Sequence, residues 1–244
     1  MTDAVPDQDP LGWLASLEGV ASAYAATRDG IDAMLRDRGL RRTSPETTAE
    51  SLLRGAHASA VLEGSASTLD EVRADGGDDT ARAAVHLSAE LLGLVPALRR
   101  SPLQALARLH SIAAGGSVEA ELLGRPRDAE AAARLRSLAT LLGTPTRAPA
   151  LVVAALVHAD LATVAPFASH NGLVARAAER LVTVARGVDE KSLTVPEAGH
   201  LALRAEYESN LRGYASGGRA GLHSWLLYTA EAYTAGANAS PLRD

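Results

Sequence analysis

Residues 165–176 read APFASHNGLVAR, and the run holds the only phenylalanine of the chain, Phe167. It separates two apolar stretches with helical spacing, Pro149–Val164 and Leu173–Arg186. Pro166 biases Ala165 away from helical angles, so the first helix is expected to end there. Asn171-Gly172 tolerates the turn conformations that a helix start needs and leaves backbone amides facing outward, where an anion can sit. Arg176, one turn on, would face the same place and add a charge-assisted bond to a phosphate or carboxylate. An interhelical turn anchored by one buried ring accounts for the same residues, and spacing alone does not choose between the two.

Outward from this run the chain reads as helices. Pro149–Val164 is apolar on nearly every face and belongs at the centre of a bundle. Leu11–Arg38 reads as one or two amphipathic helices weakened by Gly19 and Gly30. Ser44-Pro45-Glu46 is an N-cap, a first-turn proline and an acid at the positive end of the dipole. That helix should stop at Gly64, and Thr68-Leu69-Asp70-Glu71 has capping-box spacing for another. Helices follow over Thr80–Leu94, from Ser101-Pro102 to Gly115-Gly116, from Asp128 to about Gly143, from Pro196-Glu197, and over Arg219–Ala235. Between 117 and 127, Gly124-Arg125-Pro126 interrupts the pattern, and a loop or short flap hairpin is expected.

Composition agrees with an all-α fold. The chain has 244 residues, enough to bury a full core, and 47% are hydrophobic while only 3% are aromatic, so Leu, Ala and Val must fill that core. A net charge of −5 argues against a nucleic-acid or anionic-membrane surface. There is no cysteine, which excludes thiolate catalysis and Cys-based zinc sites, and no HxxxH pair, so no zinc site is expected and no residue is assigned as a metal ligand. The acidic start MTDAVPDQDP lacks the regions of a signal peptide, and the longest apolar run, Ala148–Val157, is too short to span a bilayer; the expectation is a cytoplasmic protein.

Residue by residue, Ala165–Arg176 resembles the signature of Fic domains, the fold of protein adenylyltransferases, written HPFx(D/E)GNGRxxR. The approach to it is similar too: Fic proteins often carry HxxFxxI before the signature, and His158, Leu161 and Val164 stand at those places. About a hundred residues upstream, Ser59-Ala60-Val61-Leu62-Glu63-Gly64 resembles the (S/T)xxxE(G/N) inhibitory-helix motif. Tyr207-Glu208-Ser209-Asn210-Leu211 onward to Trp225 resembles the final Fic helices. The resemblance implies a Fic-like bundle over 45–236 with an inhibitory-type helix at 45–64, an N-terminal helical segment at 1–44 and a tail at 237–244. It further implies ATP or ADP as ligand, magnesium as its ion, and a protein partner; many Fic proteins are homodimers, though no self-complementary face is marked here.

The departures bear on chemistry. Where the resemblance places the general base stands Ala165, which cannot accept a proton. Ser169 stands where the acidic metal ligand belongs and is a far weaker ligand for magnesium. His170 replaces a glycine, and Leu173 replaces the arginine that neutralises a terminal phosphate. Loss of a general base costs about 10²–10⁴ in rate, and the other losses remove separate charge stabilisation. Pro166, Phe167, Asn171, Gly172 and Arg176 remain, a set that keeps loop shape and an anion-facing helix start. The expectation is a catalytically impaired member that retains nucleotide, anion or partner binding. Its alternatives are an active adenylyltransferase with an unusual base, for which His170 is the one candidate, and a purely structural protein. The inhibitory glutamate and the arginine it bonds in the family are both present, as Glu63 and Arg176, and are expected to act as a clasp between the upstream helix and the signature loop. His158, Trp225 and Tyr228 are expected in the core.

Overall fold

The computed structural model describes residues 9–37 and 44–244. The acidic N-terminus and the end of the first expected helix at Arg38 lie outside those residues. A 3₁₀ turn over Gly12–Ser16 precedes α1 (Val20–Asp37), and the break between them falls at Gly19. Next come α2 (Pro45–Leu62), α3 (Leu69–Arg73), α4 (Asp79–Leu91), α5 (Val95–Arg100) and α6 (Pro102–Ala113). The second half holds α7 (Ala129–Gly143), α8 (Ala150–Val164), α9 (Asn171–Ala185), α10 (Pro196–Ala202), α11 (Arg204–Ala215) and α12 (Gly218–Asn238).

The helix starts follow local chemistry. Ser44 Oγ accepts from the Thr47 amide ahead of Pro45, Thr68 and Glu71 complete a reciprocal capping box, and Asp128 Oδ1 accepts from the Ala131 amide at 2.7 Å. Asp78 caps α4 through the Ala81 amide at 2.9 Å, so that helix begins one residue before the expected Thr80. Beyond α2, Gly64 takes φ of 93°, the left-handed stop that its sequence position suggested.

Of the loop and the short flap hairpin expected over 117–127, the structure forms the loop. Ala120–Leu122 is a 3₁₀ turn, and no strand occurs among the described residues. The donors a hairpin would use are spent elsewhere: the Gly124 amide donates to His110 Nδ1 at 2.9 Å, and the Arg127 amide donates to the Pro166 carbonyl at 2.9 Å. Pro126 has no amide hydrogen to offer.

At the centre lie α8 and α9, packed on each other. Every residue of α8 from Leu151 to Ala159 is buried, as an all-round apolar helix requires. Buried positions in α9 run from Leu173 to Val184 and include three charges, Arg176, Glu179 and Arg180. Around this pair stand α2, α4, α6, α7, α10, α11 and α12, and α1 docks on α12. There Tyr24 Oη meets Thr229 Oγ1 at 2.6 Å and Thr27 Oγ1 donates to the Ala230 carbonyl at 3.0 Å. The described segment before residue 44 and the helices after it thus share one core, and Asp244 pairs at the surface with Arg54 of α2.

Candidate functional site

The turn between α8 and α9 is shaped by two non-glycine residues in the left-handed region, Ala165 at φ 45° and His170 at φ 55°. The sequence reading assigned the turn conformation to Asn171-Gly172, but both lie within α9. Histidine is among the residues that enter this region more readily than most, so His170 supplies the positive φ at a modest cost. Phe167 is buried and stacks on His110 of α6, ring centroids 4.4 Å apart and planes 4° apart. Asn171 closes the turn on itself: its Oδ1 accepts from the Phe167 amide at 2.9 Å and its Nδ2 donates to the Phe167 carbonyl at 3.0 Å. Ser169 Oγ meets His170 Nδ1 at 2.7 Å.

Gly172 is required by a close approach rather than by its φ. A Cβ there would collide with Glu63 Oε1 and lie 2.7 Å from Glu63 Cδ, so the carboxylate of the upstream motif rests directly on the first turn of α9. Glu63 also accepts from Arg176 Nη2 at 2.8 Å, the pair expected from the two motifs. Arg176 is 1% exposed, and its remaining bonds are internal: Nε to Ser59 Oγ at 2.8 Å, Nη2 to the Ser59 carbonyl at 3.1 Å, Nη1 to Tyr207 Oη at 3.0 Å. Its guanidinium faces α2 and α11 instead of an open anion site. Leu173 points into the core, 1% exposed, and lines a cavity of about 10 Å³ with Leu87 and Leu91 of α4.

Behind Arg176 lies a buried polar cluster in which His158 and Tyr228, both expected in the core, and Tyr207 meet Glu179, His200 and Tyr233. Glu179 Oε2 accepts from His200 Nε2 at 2.9 Å, and its Oε1 accepts from Tyr233 Oη at 2.8 Å. His158 Nδ1 stands 3.0 Å from the same Oε2, off the line of a full hydrogen bond but close enough for electrostatic attraction. The tautomers follow from the outer partners. Tyr207 Oη accepts from Arg176, so its own hydrogen goes to His158 Nε2, 3.0 Å away, and the His158 proton sits on Nδ1. Tyr228 Oη, 2.8 Å from His200 Nδ1, donates likewise, since His200 Nε2 carries the hydrogen that Glu179 accepts. In this arrangement both imidazoles turn N–H groups toward Glu179, and the three ligand-type atoms lie within 4.8 Å of one another.

The charges agree with this assignment. Burial pushes His158 down to about 4, so it is neutral near pH 7. Burial alone would raise the Glu179 carboxyl, but the two imidazoles and their bonds hold it well below the usual carboxylate range. A second buried arginine, Arg180, is enclosed by Ser51, Ser192, Thr194 and Glu197, with Nη1 donating to Glu197 Oε2 at 3.0 Å. The signal for both networks was present in the sequence: three charges at i, i+3 and i+4 on an otherwise apolar helix face have to be paired in the interior.

A magnesium nucleotide does not fit this arrangement. The Ser169 hydroxyl is engaged with His170, the nearest carboxylate is bonded to Arg176, Leu173 offers no charge, and Glu63 occupies the helix start where a phosphate would rest.

An α8–α9 centre, a turn carrying Phe167 and Asn171, and a glutamate from an upstream helix laid over the next helix start together define a Fic-type architecture. Solved structures agree. A Fic family protein from Desulfovibrio desulfuricans G20 superposes with a TM-score of 0.75 at 17% identity, covering 91% of this chain and 74% of that one. A segment of Fic-1 from C. elegans gives a TM-score of 0.69 at 17% identity, covering 90% and 71%. A second structure of that segment gives 0.68 at 17% identity, covering 94% and 73%. No protein-family model and no curated protein matches the chain. The chain has the Fic fold.

Proposed function

We propose that this chain is a Fic-fold protein that does not transfer nucleotides efficiently and acts through binding, with its signature turn held shut by its own glutamate. The observation that carries this reading is the Glu63 carboxylate, seated at once on Gly172 and on Arg176. A helix start already facing a carboxylate has its favourable anion contact satisfied, and a phosphate must displace that group to bind. Ala165 at the place of the base removes the proton acceptor that would activate a target hydroxyl.

Thermal shift with ATP, ADP and AMP, with and without magnesium, tests the closure. No stabilisation of the wild type is expected, and Glu63→Ala should gain a shift with ADP. A wild-type shift would show that the turn is open. Incubation with labelled ATP and a cell lysate tests the enzyme reading; a labelled band that disappears in a His170→Ala variant would overturn the proposal.

A further inference from the structure

On the far side of the turn lies a cavity of about 810 Å³, walled by α7, α8, the Tyr214–Gly218 corner and the 3₁₀ turn around Trp13. Its volume falls in the range of pockets that enclose a small organic molecule. It contains none of Glu63, Gly172 or Arg176, although Val164 and Arg127, whose amide donates to the Pro166 carbonyl, bring its edge up to the start of the signature turn.

The polar groups in it are sorted by depth. Asp160 of α8 is the inner one, with its side chain 13% exposed, while Arg134 of α7, which pairs with it, is 54% exposed. Burial raises the Asp160 carboxyl above its ordinary value, and the half-buried Tyr214 hydroxyl, which feels that acid, is pushed up to about 12 by desolvation and by its charge. Leucines line the same cavity, among them Leu138, Leu156 and Leu222, together with the charged Arg127 and Glu130. At the mouth stands Trp13, 45% exposed, whose ring already accepts the Arg219 guanidinium 5.9 Å from its centroid. A largely buried carboxylate, leucine walls and an exposed indole ring in one cavity suit a molecule that joins a cation to an apolar body.

We propose that this cavity binds a small organic cation, an apolar or aromatic body bearing a protonated amine or amidinium that pairs with Asp160 while the body packs on the leucines and Trp13. Arg134 is the internal competitor: its guanidinium has the same chemistry and holds Asp160 until a ligand replaces it.

Benzamidine is the probe, with neutral benzamide and anionic benzoate as controls, in calorimetric titrations of the full chain. Expected is binding of benzamidine with Kd of about 1 mM or tighter, and at least about tenfold weaker binding of both controls. Asp160→Asn should weaken benzamidine at least about tenfold, and Trp13→Ala should weaken it less. Arg134→Ala should strengthen it, a gain that a generally damaged protein cannot give. The proposal fails if benzamide binds as well as benzamidine, if Asp160→Asn binds unchanged while folded by its melting curve, or if Arg134→Ala binds more weakly. Nucleotide titrations of the same variants report on the signature turn separately, since none of the three substitutions touches it.

Discussion

Replacing Glu179 by leucine tests the buried cluster at its only ionised acceptor. Leucine fills similar space, so the cost is electrostatic and not a cavity. Two hydrogen bonds to the carboxylate are lost, from His200 and Tyr233, at about 1.5–3 kcal/mol each for a charged acceptor. Removing a buried charge returns part of its desolvation cost, which leaves a net loss of about 3 kcal/mol. For a chain of 244 residues this corresponds to a fall in Tm of about 6–12 °C. Glutamine should cost less than half as much. Its amide oxygen can keep the bond from His200, while its NH₂ donates to Tyr233 Oη, whose hydrogen turns to the Leu151 carbonyl at 3.3 Å. Urea unfolding followed by far-UV circular dichroism, alongside melting curves, separates the two variants. If Glu179→Leu proves as stable as Glu179→Gln, the assignment of an ionised, triply approached carboxylate is wrong.

Gly172→Ala should destabilise the protein by about 1 kcal/mol, because its Cβ displaces Glu63; in a Glu63→Ala background the same change should be neutral or stabilising, since alanine is the better helix former, and equal effects in both backgrounds would refute the contact. Restoring an arginine at Leu173 should cost at least about 3 kcal/mol and confer no transferase activity, because the side chain there is 1% exposed and faces α4; a folded, active Leu173→Arg variant would contradict the placement. Stability should also fall with acid. His158 titrates at about 4 when folded against 6.5 ordinarily, so between those values the unfolded chain binds the extra proton and stability declines as pH drops, by about 3 kcal/mol in total. Glu179, held ionised when folded, adds its own loss below the ordinary carboxylate range; urea midpoints that stay flat from about pH 7 to 4 would exclude the His158 contribution, and midpoints that stay flat below about pH 4 would exclude that of Glu179.

The helices were legible because their punctuation is local: Ser44-Pro45, Thr68 with Glu71, Gly64 and Asp128 each act within one turn. The Glu63–Arg176 contact was legible only because two separated motifs resembled one family's pair. What spacing could not show was where side chains spend their donors. Arg176 reads as anion-facing from its position after Asn171-Gly172, yet Ser59 and Tyr207, 117 and 31 residues away, enclose it. The positive φ went to Ala165 and His170 for the same reason, because the turn is imposed by the packing of α8 against α9 and not by the residues' own preferences. The 117–127 segment lost its hairpin to His110 and Pro166, partners that only the tertiary fold brings near.

The separation between Ser59 and Arg176 also bears on synthesis. As the chain leaves the ribosome, the corner of α2, α3 and α4 can assemble early through neighbours such as Ser65 and Asp78, 13 residues apart. The Ser59 and Glu63 side chains do not meet Arg176 until more than a hundred further residues have been made. Closing so long a loop is slow relative to local pairing, which leaves that part of α2 open to chaperones and to premature association. The helix that seals the signature turn is translated well before the turn itself and completes its docking only after α9 has been made.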